Sequence, residues 1–237
     1  MLRFLTLLLA SSACAAAEFD CMIEARQTVE IRSTVEAVIE SVKVTRGNFV
    51  AKGQVIVTLE SGPERAALAL AQGRAETQGD IKVSEARVGI TRKKWQRAEE
   101  LQRAKETQLL ARLEAQRTAE VLGLRTIRSP VNGVVVEVMR KAGEFGAITF
   151  KDPIMKLAEI DPLHVEAILP ASMYGKVKRG QRAVVVPEAA IGGRYELTVS
   201  VVDPVIDAAS GTLGVRLELP NRKGAIPAGV RCRVQFL

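Results

Sequence analysis

Histidine, aromatic side chains and long apolar runs are scarce in this chain, and each scarcity excludes a class of function. One histidine, His164, occurs in 237 residues. With no second histidine or paired cysteine near it, it reads as a partly exposed strand residue rather than a metal ligand or catalytic base. The three cysteines lack C-x-x-C spacing, and neither a phosphate loop nor a dinucleotide glycine pattern occurs. Met22, Met139, Met155 and Met173 are scattered, which argues against a soft-metal relay. No catalytic constellation is present, so the chain reads as non-enzymatic. Aromatics make up 4% of the residues, so aliphatic packing must build the core. The formal charge is +7, but no aromatic-studded basic strand or recognition helix accompanies it, so nucleic acid is not the expected partner. Anionic lipid headgroups, an acidic partner surface or ordinary solubilising charge account for the surplus.

The first residues, MLRFLTLLLASSACAAAEFD, carry one early cation (Arg3), an apolar run over 4–10 and small residues up to Ala17. This is the pattern of an export signal over 1–17, too short in its apolar part to span a bilayer. Cys14 is preceded by Ser11-Ser12-Ala13, without the large aliphatic residue of a lipoprotein site, so cleavage after Ala15 or Ala17 is expected instead. No later apolar run approaches the ~20 residues of a membrane helix. The mature chain is expected to be exported and soluble.

What the chain does contain is one strand–turn–strand unit written twice, about 96 positions apart. The first copy, within 33–62, reads STVEAVIESVKVTRGNFVAKGQVIVTLE; the second, within 125–160, reads SPVNGVVVEVMRKAGEFGAITFKDPIMKLAE. Ser33 aligns with Ser129, Val35 with Val131, Val38 with Val134, Val42 with Val138, Gly47 with Gly143 and Phe49 with Phe145. In each copy a β-branched run precedes a glycine turn and an apolar strand follows it. Gly47, Gly53, Gly133 and Gly143 are the turn glycines. A unit present twice indicates two halves closing into one sandwich with pseudo-two-fold symmetry rather than a solenoid.

Between the halves, residues 63–124 are rich in helix formers. Pro63 suits a first-turn position and Glu64 complements the helix dipole, and no further proline occurs before Pro130. A single helix of ~60 residues would end ~90 Å from its start, and the second half could not rejoin the first. The segment is therefore an antiparallel hairpin with two arms of about 26 residues, ~40 Å each. Its turn is expected near 89–94; Gly79-Asp80 looks the stronger turn locally but would leave the arms unequal. Ala66, Leu70, Ile81, Val88, Ala98, Leu101, Leu109, Leu113 and Val121 are the expected seam. After 160, alternating strands at 163–169, 182–187, 195–202, 212–218 and 230–236 join the N-terminal strand, 18–32, in a small antiparallel barrel over 161–237, with a short helix at 171–178. The fold class is mainly β with an α-helical insertion.

The stretches VIESVKVTRGNFVAKGQVIVTLES and TIRSPVNGVVVEVMRKAGEF resemble a split lipoyl (biotinyl-lipoyl-like) sandwich. With the segments around them, from about Cys21 to Leu237, the chain resembles the HlyD-like periplasmic adaptors, or membrane fusion proteins. LELPN (217–221) and Pro227-Ala228-Gly229 match the closing strands of that family's barrel. The resemblance implies a periplasmic adaptor that couples an inner-membrane transporter, RND-type, to an outer-membrane exit duct. It also implies a homo-oligomeric ring, a hexamer in the family.

Several consequences follow from the resemblance. The hairpin tip would contact the duct or a neighbouring tip, which here falls on Arg92, Lys93, Lys94 and the single tryptophan, Trp95. Those residues form either an interface anchor, or a solvated turn with Trp95 plugging the seam beneath it. With the signal removed, Cys21 and Cys232 are an even pair in an oxidising compartment, on strands the architecture sets side by side. They form either a disulfide, closing a loop of about 210 residues at a ceiling near ~5 kcal/mol, or two separate small apolar sites. No cofactor is implied: lipoyl carriers bear a modified lysine at the joint between halves, and the joint at 60–63 has none. The chain departs from the family in lacking the Arg/Leu/Ser pattern of the tip and in its short arms, and the membrane-proximal domain of many family members is expected to be missing or reduced to the N-terminal strand. An accessory scaffold that no longer docks a duct is the alternative reading.

Overall fold

The computed structural model of the chain describes residues 17–88, 94–146, 152–188 and 191–237, with the backbone alone described for 77–88 and 94–100. The chain divides into two compact units, one of residues 1–27 with 159–237 and one of 28–158. The expected signal segment and Cys14 lie outside the described residues.

In the first unit six strands close an antiparallel barrel. β1 (Glu18–Ile31), β11 (Val230–Phe236), β8 (Arg182–Pro187), β9 (Tyr195–Val202), β10 (Thr212–Leu219) and β7 (Met155–Pro170) pair in that order, and β7 pairs again with β1. Closure removes the open edges that would invite aggregation. The core follows from strict alternation: Leu213, Val215, Leu217 and Leu219 of β10 lie opposite Leu169, Ala167, Val165 and Leu163 of β7, and all eight are buried. Each fully buried leucine or valine contributes about 1.5–3 kcal/mol before conformational entropy is charged against it. Beside this core the Phe19 and Phe236 rings pack at a centroid distance of 6.0 Å. Asn221, in the turn after β10, is buried and fully used. Its Nδ2 donates to the carbonyls of Ile226 (2.8 Å) and Ile160 (3.1 Å), and its Oδ1 accepts from the Ile226 N–H at 3.1 Å.

The second unit is the lipoyl-like sandwich with its helical insertion. One sheet is β2 (Ile39–Val42), β4 (Val55–Leu59) and β5 (Thr126–Arg128); the other is β3 (Phe49–Val50), β6 (Gly133–Val138) and the first residues of β7. Ile39, Ile56, Leu59, Val135, Ile154, Met155 and Leu157 fill the space between them. The repeat is visible as reciprocal exchange. Gly47 N–H donates to Val135 O at 2.8 Å, and its equivalent Gly143 N–H donates to Ile39 O at 2.9 Å. Val135 N–H donates to Asn48 O at 2.9 Å, as Ile39 N–H does to Glu144 O at 2.8 Å. Each half thus completes the other's sheet. Ser33 and Ser129, both buried, make the same local turn, their hydroxyls donating to Val35 O (2.5 Å) and Val131 O (2.6 Å).

The insertion consists of α1 (Gly62–Val88) and α2 (Lys94–Gly123), of 27 and 30 residues. They pack antiparallel: Glu64 ion-pairs with Arg125 at the base, and Arg74 lies 3.7 Å from Glu114 further out. Gly79-Asp80 lies inside α1; of the turn expected near 89–94, residues 89–93 lie outside the described residues and Lys94 opens α2.

The structure departs from the sequence reading in four places. The expected seam is not the seam. Ala66, Leu70, Leu101, Leu109, Leu113 and Val121 are exposed, and the side chains of Ile81, Val88 and Ala98 are outside the described set. The face turned to the partner helix is Leu68, Ala71 and Ala75 on α1 and Ala104, Gln108, Ala111, Ala115, Thr118 and Leu122 on α2, spaced alternately by four and three. Small side chains let the helix axes approach closely, so dispersion between backbones replaces the area that leucines would bury. The second departure is β7, which runs unbroken from Met155 to Pro170 where a strand over 163–169 was expected. The Ile160-Asp161-Pro162 stretch looks like a turn locally, yet it lies within the strand. Third, 171–178 holds only a single 3-10 turn, Ala171–Met173. Fourth, Gly133 is no turn glycine: it opens β6 and pairs with Val50, whereas Gly47, Gly53 and Gly143 have φ of +88°, +83° and +87°.

Candidate partner-binding surfaces

No group of three or more histidine, cysteine, aspartate or glutamate side chains among the described residues could hold a metal ion. His164 is half-buried on β7, opposite Glu218 of β10. Among the described residues the one carboxyl clearly displaced is Asp207, in the turn between β9 and β10. The Ala209 N–H, 2.8 Å from its Oδ1, and then the Ser210 N–H at 3.3 Å hold it below the ordinary aspartate value. That carboxylate orders a loop.

Surfaces are what the chain offers. Of the expected tip, Arg92 and Lys93 lie outside the described residues, and Lys94 and Trp95 open α2, with only their backbone described. The four side chains of the expected tip thus lie outside the described set. Along the outside of the helical pair, Leu70, Leu101, Leu109, Leu110 and Leu113 are exposed in spite of their size. On the sandwich, Phe49 and Phe145 are exposed on the two outer faces, one from each repeat. Sequence reasoning aligned these two rings and gave them no role; the signal was a large apolar residue repeated beside a turn glycine. It also passed over Asn221, whose only trace in the sequence is a Pro-Asn step closing an alternating strand.

On the barrel, Cys21 of β1 and Cys232 of β11 are direct cross-strand partners, bonded with Cα atoms 4.9 Å apart. Both belong to the barrel core, so the bond ties the first strand to the last from inside rather than forming an accessible redox pair. No helix among the described residues is long and apolar enough to cross a membrane.

Two family models match in succession, and together they span most of the chain. A CzcB-like barrel-sandwich hybrid domain matches residues 27–159, and a CusB-like β-barrel domain matches residues 162–237. Among curated proteins, an uncharacterised protein of Haemophilus influenzae is 24% identical over 188 residues, 78% of this chain and 48% of that protein. The cation efflux system protein CusB of Escherichia coli K12 is 27% identical over 111 residues, 47% of this chain and 27% of its own length. The chain thus spans less than half the length of these relatives. Among solved structures, a MacA–MexA chimeric protein carrying the α-hairpin domain of Pseudomonas aeruginosa MexA superposes with a TM-score of 0.74 at 18% identity, covering 93% of this chain and 80% of that one. At that identity the likeness shows the fold alone.

Proposed function

The chain belongs to the membrane fusion protein family with CzcB-like barrel-sandwich and CusB-like β-barrel domains, and from there we propose that it is a non-enzymatic adaptor subunit of an efflux or secretion system. It works in the periplasm after export, and couples an inner-membrane transporter of RND type to an outer-membrane exit duct as a ring of copies. The observation that carries this reading is the order of parts: a sandwich split by a helical pair, then a closed barrel, with no chemistry-bearing cluster among the described residues. Such an order of parts can position partners. The helical pair serves the duct side, with Arg92, Lys93, Lys94 and Trp95 at its end, and the barrel serves the transporter side. Transport energy comes from the transporter.

One observation favours a second reading. At 1.5 Å per residue, 27 and 30 residues give arms of only about 40–45 Å. An accessory scaffold that binds the transporter and leaves the duct unattached fits arms of that length. The test is affinity isolation of the full chain from detergent-solubilised membranes, followed by mass spectrometry. The adaptor reading expects both an inner-membrane transporter and an outer-membrane duct to co-purify, the scaffold reading only the transporter. Recovery of the chain with neither contradicts both.

A further inference from the structure

One end of the barrel carries exposed apolar side chains and cations on adjoining loops. β7 ends at Pro170 and β10 begins at Thr212, and these two residues are partners across the sheet. The loop after the one, 171–181, and the loop before the other, 203–211, therefore leave the barrel side by side. The Ala171 N–H joins them, donating to Gly211 O at 2.9 Å. Val205 and Ile206 stand in succession in the second loop, 75% and 37% exposed, and Tyr174 in the first is 57% exposed. Single exposed apolar residues are ordinary on a protein surface. Three on two adjoining loops form a cluster, and a cluster marks a contact.

The charges around the cluster are sorted by sign. From Ala171 to Arg182 the chain has four cations, Lys176, Lys178, Arg179 and Arg182, and no acidic residue. Arg182 is turned to Glu196 at 3.3 Å, whereas Lys176, Lys178 and Arg179 are exposed on the loop. The second loop holds two carboxylates, and both are turned back on the protein. Asp207 Oδ1 accepts from the Ala209 and Ser210 N–H groups of its own loop, at 2.8 and 3.3 Å. Asp203 lies against β10: a Cβ added at Gly214 would stand 2.1 Å from its Oδ2. Gly214 is the partner of Ile168 on β7, so that carboxylate lies on the barrel wall rather than at the turn. Val205 and Ile206 thus stand out between two acids that face inward, beside a loop whose three exposed cations face water.

This combination matches a surface that is apolar below and anionic above. Valine and isoleucine at the tip of a turn can enter the acyl boundary of a bilayer, and tyrosine is suited to headgroup level. Lysine stems lie along apolar surface while their ammonium groups reach lipid phosphates. A side chain that protrudes as far as Val205 needs no shaped cavity in such a partner, because a fluid interface closes around it. We propose that this end of the barrel docks on an anionic lipid bilayer, with Val205 and Ile206 inserted and Lys176, Lys178 and Arg179 on the headgroups. The contact goes beyond the adaptor reading, since it requires lipid and no transporter.

The test is co-sedimentation of the purified chain, from Glu18 on, with vesicles of phosphatidylcholine, either pure or mixed with phosphatidylglycerol, at low and high salt. The wild type is expected to bind the mixed vesicles at low salt, and at least about tenfold more weakly when phosphatidylglycerol is left out or salt is raised. Val205→Asp with Ile206→Asp is expected to weaken binding at least about tenfold, and Lys176→Gln, Lys178→Gln and Arg179→Gln about fivefold each. Leu110→Ser removes a leucine of comparable exposure from the helical pair and is expected to bind as the wild type does. Circular dichroism checks folding; should the aspartate variant lose its β signal, Val205→Ser with Ile206→Ser serves instead and is expected to weaken binding at least about fivefold. A wild type that leaves the mixed vesicles unbound overturns the proposal and makes the cluster a contact for protein. Tip variants that bind at wild-type strength, or a loss in Leu110→Ser equal to theirs, overturn it too. The adaptor reading is judged separately: a transporter that co-purifies with a chain unable to bind vesicles leaves that reading standing and removes this one.

Discussion

Gly47 and Gly143 carry the same burden at equivalent places in the repeat. Both sit at φ near +90° with open space where a Cβ would go, so the cost of substitution is one of backbone conformation alone. Gly47→Ala and Gly143→Ala are each expected to destabilise by about 1–2 kcal/mol, and by similar amounts, in urea unfolding followed by circular dichroism. Asn221 acts through hydrogen bonds. Asn221→Leu leaves the Ile226 N–H and two carbonyls without their partner, and is expected to cost about 1–3 kcal/mol in the same measurement. Asp207 sets a pH dependence. Its carboxyl titrates below the ordinary aspartate value, so the turn it holds is intact above the unfolded-state value and loosens as pH falls through the folded one. Carbon-detected NMR titration of Asp207 should give a midpoint below that of a free aspartate, and an ordinary midpoint would contradict the turn described. At this scale the sequence revealed turn glycines and little else. A positive φ leaves a compositional mark, whereas a buried asparagine resembles any loop asparagine.

At the scale of elements, the strands were legible because alternation is a strong local signal, as in Leu213, Val215, Leu217 and Leu219. The limits of β7 were not, since Asp161-Pro162 has the composition of a turn and only the surrounding sheet makes it strand. The helical pair shows the sharper failure. Hydrophobicity pointed to Leu70, Leu101, Leu109 and Leu113 as the seam, but a two-helix contact needs close backbones more than area, and alanines supply that. The consequence can be measured. Ala111→Leu forces a large side chain between the helices and is expected to cost about 1–3 kcal/mol, while Leu113→Ala on the exposed face should change stability by no more than about 0.5 kcal/mol. Thermal melts followed at 222 nm compare the two directly, and the reverse order would restore the leucine seam.

At the scale of the whole molecule, the fold was legible because three constraints agreed: a repeat present twice, an insertion that must return to its start, and a run of alternating strands long enough to close. The residues that would meet partners were less so, because a docking surface has no periodicity of its own and Arg92, Lys93, Lys94 and Trp95 are marked only by their place near the middle of the insertion. The disulfide belongs to this scale as well, since it joins positions 211 residues apart. Intact-mass measurement of the chain should find it lighter by two hydrogens than after reduction, and Cys232→Ser should lower stability by about 2–5 kcal/mol. The proposal that organises the rest is that this chain stands between two membrane partners. In-cell photo-crosslinking tests it most directly, with the reactive residue placed at Lys94 on the helical pair and, separately, at Arg194 on the barrel. The account predicts an outer-membrane duct, or the same region of a second copy, from Lys94, and an inner-membrane transporter from Arg194. Absence of transporter adducts from the barrel, in cells where the chain is abundant and folded, would contradict it.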